Sequence, residues 1–203
     1  MTPQKRLFDI LLALLLATVL VPAIAVISVI LLVKQGRPIF YVAERMKTPT
    51  QAFGLIKFRT MTVVAADSGV SGADKDTRVT KLGAKLRGKR LDELPQLWNV
   101  LRGDISFVGP RPPLRNYVER FPDLYAKVLR SRPGISGLAS LHFHRREAAL
   151  LANTKTPQDT DAVYCRRCVP RKAHLDLIHQ RNQSVCYDLV LLLQTVSRLA
   201  KRR

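Results

Sequence analysis

From Ile10 to Val33 the chain carries no charged residue, a run of 24 positions. As one straight helix it would measure about 36 Å, enough to cross a hydrocarbon core of about 30 Å. Three placements compete. A cleaved leader has Lys5 and Arg6 ahead of the run, and Ala23-Ile24-Ala25 imitates a cleavage site. Against it, the apolar run continues well past that site and Asp9 sits at its entrance. A spanning helix would put Lys5 and Arg6 outside the cell while the basic remainder stays in the cytoplasm. A re-entrant segment, entering and leaving through one leaflet, uses Pro22, which deletes a backbone hydrogen bond near the middle of the run. It also keeps both basic flanks, Lys5-Arg6 and Lys34 with Arg37, on the cytoplasmic side. Spanning helices tolerate proline, so spanning and re-entrant both stay open. Either way residues 1–36 form a membrane anchor, and 37–203 form the rest.

That remainder, roughly 170 residues, is enough for one hydrophobic core. Its charge is lopsided: 34 Lys and Arg against 15 Asp and Glu, formally +19. Such a field attracts nucleic acid, an anionic membrane surface or phosphorylated substrates. A hydrophobic fraction of 47% excludes a disordered basic tail. Three cysteines fit a reducing compartment better than a closed disulfide framework.

Ile39–Val42 and Phe53–Thr62 have the β-rich look of strands. Residues 67–77 read as a polar loop. Thr80–Lys89 reads as a basic helix, either solvated or lying on the lipid surface. The next helix is expected over Leu91–Leu101, with Asp92 as N-cap and Glu93 and Pro95 in its first turn. Leu94, Leu97, Trp98 and Leu101 form its expected buried stripe, and Gly103 closes it. Asn116–Arg130 is helical in pattern, 152–161 loop-like, and Asp188–Leu199 amphipathic, ending in Lys201-Arg202-Arg203. The fold class is α+β and mainly helical: an N-terminal membrane helix, then a compact cytosolic domain with a small β-sheet and interfacial amphipathic helices.

The chemistry concentrates in Leu91-Asp92-Glu93-Leu94-Pro95-Gln96 and Val108-Gly109-Pro110-Arg111-Pro112. Adjacent carboxylates at a helix start can be simple caps. Here Arg111 is clamped between two prolines, a stiff presentation that suits bidentate phosphate binding. Lys57 and Arg59 share one face of the second strand. Carboxylates among phosphate-seeking cations suggest phosphoryl chemistry, with a carboxylate as nucleophile or as ligand to a Mg²⁺ ion.

These residues carry a resemblance to the bacterial sugar transferase family, the monotopic phosphoglycosyl transferases. Lys5-Arg6-Leu7-Phe8-Asp9, Lys57-Phe58-Arg59-Thr60-Met61 and the block from Leu91 to Asp104 match its pattern. So do Val108–Pro112, Arg132-Pro133-Gly134-Ile135-Ser136-Gly137, Asp176, Ser184 and Asp188. The resemblance implies a re-entrant helix-break-helix anchor at Pro22 and a catalytic domain on the cytoplasmic face of the bacterial inner membrane. It implies a Mg²⁺-dependent ping-pong transfer of a sugar-1-phosphate from a UDP-sugar to a polyprenyl phosphate, releasing UMP and starting polysaccharide or glycoconjugate assembly. Asp92 would be the nucleophile, and Glu93 would handle a proton or position the metal, with both carboxylates toward Mg²⁺. Arg111, Lys57, Arg59 and Arg45 would neutralise phosphate charge. Val21 stands before Pro22 where the family usually has Ser, and Arg90 where Ser is common. Leu138–His144 and Ile178-His179 depart from the family's second half, so the sugar stays unidentified. The chain as given lacks the multi-span N-terminal region of larger members and so resembles the minimal form. A homodimer is left open.

Rival readings remain. A membrane-tethered nucleic-acid binder would need a reading module, and none is recognisable, so no nucleic-acid partner is expected. A catalytically idle scaffold is opposed by the intact Asp92-Glu93 and Arg111. Cys165-Arg166-Arg167-Cys168 with His174 and His179 lacks zinc-finger spacing and reads as a reduced, packed pair. His142 and His144 alternate as on one face of a strand.

Overall fold

The computed structural model describes residues 2–62, 78–154 and 156–200. The expected loop at 67–77 and the basic end at 201–203 lie outside them. Helix α1 (Pro3–Gln35) takes up the whole apolar run. Thr2 caps it by accepting from the Lys5 N–H, and Gly36, at φ 66, ends it in a conformation that favours glycine. Pro22 lies inside α1, and the helix is continuous through it. The expected helix-break-helix is therefore not a gap in helical structure: proline removes one donor, and the flanking turns keep theirs. Lys5, Asp9, Ala13 and Leu31 are buried, whereas Leu15, Val19 and Val33 stand 68%, 70% and 79% exposed.

Strands β1 (Phe40–Met46) and β2 (Ala52–Phe58) form an antiparallel hairpin in which Val42 pairs with Ile56. Alternation puts Leu55 and Lys57 on one face and Ile56 and Phe58 on the other. The second strand stops short of the expected Thr62, and Arg59 lies just past its end. Helix α2 (Lys81–Gly88) follows, capped by the Thr80 side chain.

The single helix expected over Leu91–Leu101 is two elements. A 3₁₀ turn spans Leu91–Glu93, and α3 runs Gln96–Arg102. Pro95 has no N–H to give the Leu91 carbonyl, and after a turn already held by 3₁₀ bonds the new helix starts behind it. Asp92 consequently sits inside the turn, not at an N-cap. The buried face of α3 also differs from expectation: Gln96, Leu97, Asn99 and Val100 face inward, while Trp98 is 57% exposed. The cause is the free edge of β2. Asn99 Nδ2 donates to the Gly54 carbonyl (2.8 Å) and its Oδ1 accepts from the Ile56 N–H (3.0 Å), satisfying strand groups that lack a third strand.

Strand β3 (Ser106–Val108) pairs in parallel with β4 (Gly134–Ser136). Between them α4 (Arg115–Arg120) and α5 (Pro122–Val128) replace the one helix expected, divided at Pro122. Helix α6 (Leu138–Ala152) contains His142 and His144, which therefore lie on a helix and not on a strand. The stretch read as loop-like gives way to α7 (Pro157–Val163): Thr156 is its cap and Pro157 its first residue. A π-helical turn over Tyr164–Cys168 leads to α8 (Val169–Arg181), and α9 (Val185–Ala200) closes the fold.

Both ends of α1 belong to the folded domain. Near its start, Ala13 packs with Leu97, Val100, Ile105 and Leu191; near its end, Leu31 packs with Phe58 and Leu86. Polar contacts fix the same two ends. Lys5 forms a buried ion pair with Asp188, whose other oxygen meets His179 Nε2 at 2.8 Å. Arg6 donates to the Val100 and Leu101 carbonyls (both 2.7 Å), and Asp9 accepts from Ser106 Oγ (3.1 Å) and the Phe107 N–H (3.3 Å). At the far end Arg59 donates to the carbonyls of Gln35 (2.6 Å) and Gly36 (2.9 Å), and Gln35 reaches Thr80 (2.9 Å). With Lys5, Asp9 and Ala13 buried, the segment ahead of the leader-like Ala23-Ile24-Ala25 is a component of the core.

Candidate active site

The Asp92-Glu93 turn is set by its neighbours. Arg90 takes a left-handed conformation (φ 55) immediately before it, and Pro95 ends it. Arg90 turns back onto Glu93, donating to Oε2 from Nε (3.2 Å) and Nη2 (2.6 Å). Across from it, Lys57 Nζ donates to Glu93 Oε1 at 3.0 Å, and Arg111 Nη2 stands 3.9 Å from the same oxygen. The Glu93 side chain is only 12% exposed. Burial would raise its carboxyl, but Lys57, Arg111 and Arg90 together outweigh burial and hold it down at about 2.

Asp92 is in the opposite situation. Among the described residues no ion pair reaches it. Burial, then the Glu93 charge, pushes its carboxyl above the usual aspartate range, against the pull of Lys57 and Arg87. Two adjacent carboxylates are thus driven apart: one is a fixed anion, the other more basic and uncommitted.

Arg45, Lys57 and Arg111 line one narrow cleft with Glu93, Gln96 and Ile135. Burial, reinforced by Arg111, lowers the Arg45 pKa; burial also lowers that of Lys57, against the attraction of Glu93. Clustered, partly desolvated cations of this kind gain most from an anionic ligand. Arg111 reaches the cleft because β3 and β4 approach closely: a Cβ on Gly109 would lie 2.2 Å from the Arg132 carbonyl oxygen.

Of the residues singled out from the sequence, Glu93, Lys57, Arg111 and Arg45 come together in the cleft, while Asp92 sits beside Glu93 without lining it and feels the charges of Glu93 and Lys57. Arg59 does not; its guanidinium caps the end of α1. Pro22 lies in the interior of α1. Sequence reasoning treated Arg90 only as a departure and passed over Arg87 and Gln96. The i, i+3 spacing of Arg90 and Glu93 was a usable signal; the left-handed backbone that turns Arg90 inward was not. Among the described residues no group of three or more His, Cys, Asp or Glu side chains gathers into a metal site. Cys165 and Cys168 are buried, and burial pushes both thiols up, away from reactivity.

Comparison with known proteins gives the family. The family model for bacterial sugar transferase matches residues 1–202. The chain is 33% identical over 196 residues to a Klebsiella pneumoniae UDP-glucose:undecaprenyl-phosphate glucose-1-phosphate transferase, covering 95% of this chain and 39% of that protein. It is 36% identical over 143 residues to an Aeromonas hydrophila UDP-N-acetylgalactosamine-undecaprenyl-phosphate N-acetylgalactosaminephosphotransferase, covering 68% of this chain and 33% of that one. It is 31% identical over 210 residues to the exopolysaccharide production protein ExoY of Sinorhizobium fredii (strain NBRC 101917 / NGR234), covering 95% and 84%. The chain thus spans well under half of the first two relatives and most of the third. It belongs to the bacterial sugar transferase family.

Proposed function

We propose that the chain is a membrane-anchored phosphoglycosyl transferase that moves a sugar-1-phosphate from a UDP-sugar to a polyprenyl phosphate, with Asp92 as the covalent nucleophile. The observation that carries this reading is the asymmetry of the carboxylate pair. A raised pKa makes Asp92 the stronger nucleophile, and among the described residues it has no ion pair to break before it moves. A carboxylate oxygen of Asp92 attacks the sugar-linked phosphorus, the bond from that phosphorus to the bridging oxygen breaks, and UMP leaves with the electron pair. A phosphate oxygen of the acceptor then attacks the same phosphorus, breaking the bond to Asp92 and restoring the carboxylate. Lys57, Arg111 and Arg45 offset the phosphate charges. Glu93, held near 2, is ionised throughout the neutral range and a poor proton carrier; its role is to hold Lys57, Arg90 and Arg111 in place.

Mg²⁺ fits this donor set, because it is commonly bound by one or two carboxylates with substrate phosphates and water completing its shell. Asp92 and Glu93 would hold it, and the burial that raises Asp92 is what a cation would relieve. When bound, the ion supplies charge neutralisation at the pyrophosphate.

The anchor is proposed to be re-entrant, with the domain on the cytoplasmic face of the inner membrane. A 33-residue helix is about 50 Å long. Its two ends are tied to one domain, Lys5 to Asp188 and Gln35 to Arg59. A spanning arrangement would draw parts of a strongly basic domain through hydrocarbon. In a Cys186→Ser background, cysteines placed at Thr2 and Lys34 should both react with an impermeant thiol reagent from the cytoplasmic side only; labelling from opposite sides would establish a span.

The transfer is tested with purified protein, Mg²⁺, a panel of UDP-sugars and undecaprenyl phosphate. UMP release is expected from the wild type and lost in Asp92→Asn, which keeps its membrane association. No release across the panel would leave a scaffold role.

A further inference from the structure

Along the middle of α1, beside the side chains by which it packs on the core, lies a groove of about 410 Å³. Its walls are Ala17, Val21 and Ile24 of α1, Val42 and Ile56 of the hairpin, and Leu97, Trp98 and Leu101 of α3, with Pro95 and Phe40 at its margins. The lining is apolar, and the size is that of a small-molecule site. Val21 (55%), Val42 (59%) and Trp98 (57%) are well exposed, with no protein group covering them. On the α1 side the groove opens onto the exposed apolar surface of the anchor, so it is entered from the bilayer.

Two segments build both this groove and the cationic cleft. In β2, Ile56 faces the groove while its neighbour Lys57 faces the cleft. After the dyad, Glu93 and Gln96 face the cleft while Pro95 and Leu97 face the groove. An apolar channel fed from lipid therefore adjoins a cluster of cations across one residue of strand and one turn. A molecule matched to both has a long apolar chain and an anionic head.

Resting on the transferase reading above, we infer that this groove holds the isoprenoid chain of the polyprenyl phosphate acceptor, delivering its phosphate toward Asp92. Lipid tails are as apolar as the groove, so occupancy gains little from hydrophobic transfer and depends on fit. Filling the groove should therefore act through shape. Val42→Phe and Val21→Phe intrude from opposite walls at exposed positions that tolerate bulk. Each should raise the KM for undecaprenyl phosphate about three- to tenfold, a change of about 0.7–1.4 kcal/mol, with the KM for the UDP-sugar unmoved. Leu193→Ala, on the exposed side of α9, is the control and should leave the acceptor KM unchanged.

Trp98 gives a second readout, because it is the chain's one tryptophan. In phosphatidylcholine nanodiscs, undecaprenyl phosphate should shift its emission saturably, and an equal addition of phosphatidylcholine should not. An unchanged acceptor KM in both groove-filling variants, or an equal Trp98 response to phosphatidylcholine, overturns the inference while leaving the transferase reading intact. Absence of UMP release from the wild type would overturn that reading itself, which is a separate result.

Discussion

Glu93→Gln removes one charge from a buried cluster and leaves its shape nearly unchanged. In the folded protein the Glu93 carboxyl is held at about 2 against an ordinary 4.5. At about 1.4 kcal/mol per pH unit, that gap contributes on the order of 3 kcal/mol of stability at pH 7. The sign follows from the depressed value. The contribution is complete above pH 4.5, where the unfolded carboxyl is also ionised, and is lost as pH falls through about 2. At pH 3 only about 1 kcal/mol should remain. Glutamine mimics the protonated acid, so the difference between wild type and Glu93→Gln isolates this one group. Denaturant unfolding in mild detergent, followed by Trp98 emission, should show a cost of about 3 kcal/mol at pH 7 that shrinks to less than half at pH 3. A cost that stays constant between the two pH values would refute the electrostatic account. It would mean that Glu93 contributes packing rather than charge.

Asn99→Leu keeps volume but strips partners from the Ile56 N–H and the Gly54 carbonyl; it should cost about 2–4 kcal/mol, read by the same unfolding assay. Asp176 is buried, and burial lifts its carboxyl to about 7. A raised carboxyl contributes stability below its unfolded value near 3.8 that is lost as pH rises through about 7. Asp176→Asn should therefore raise the melting temperature at pH 8, and the gain should vanish at pH 4.

The apolar segment, the two strands and the proline-clamped Arg111 were legible in the sequence because each rests on a local rule. A charge-free run, alternating strand residues and a rigid Pro-Arg-Pro need no tertiary context. Gly103 marked a helix end for the same reason, and it adopts positive φ. Trp98 shows where local rules stop. Hydrophobic periodicity assigned it to a core, yet α3 turns polar Asn99 and Gln96 inward because β2 has an unpaired edge to satisfy. That edge exists only once the hairpin is built. Arg59 fails in the same way: strand alternation put it beside Lys57, but the strand ends one residue earlier and the carbonyls ending α1 claim it. Lys5, Asp9 and Asp188 stood out only as parts of a pattern; their burial as a network joining α1, β3, α8 and α9 has no signature in spacing.

That network explains why anchor and site need not be read as separable modules. At its start α1 holds the C-terminal end of α3 through Arg6, and α3 begins just after the Asp92-Glu93 turn. At its end α1 is held by Arg59, two residues from Lys57, and by Thr80, the cap of α2. The helix that follows the Asp92-Glu93 turn and the neighbouring cation Lys57 are therefore positioned by opposite ends of one long apolar helix. A change in the bend of α1 would move Glu93 relative to Lys57, the foremost of the cations that hold its carboxyl down. Detergent extraction that relaxes α1 should then depress turnover before the domain unfolds.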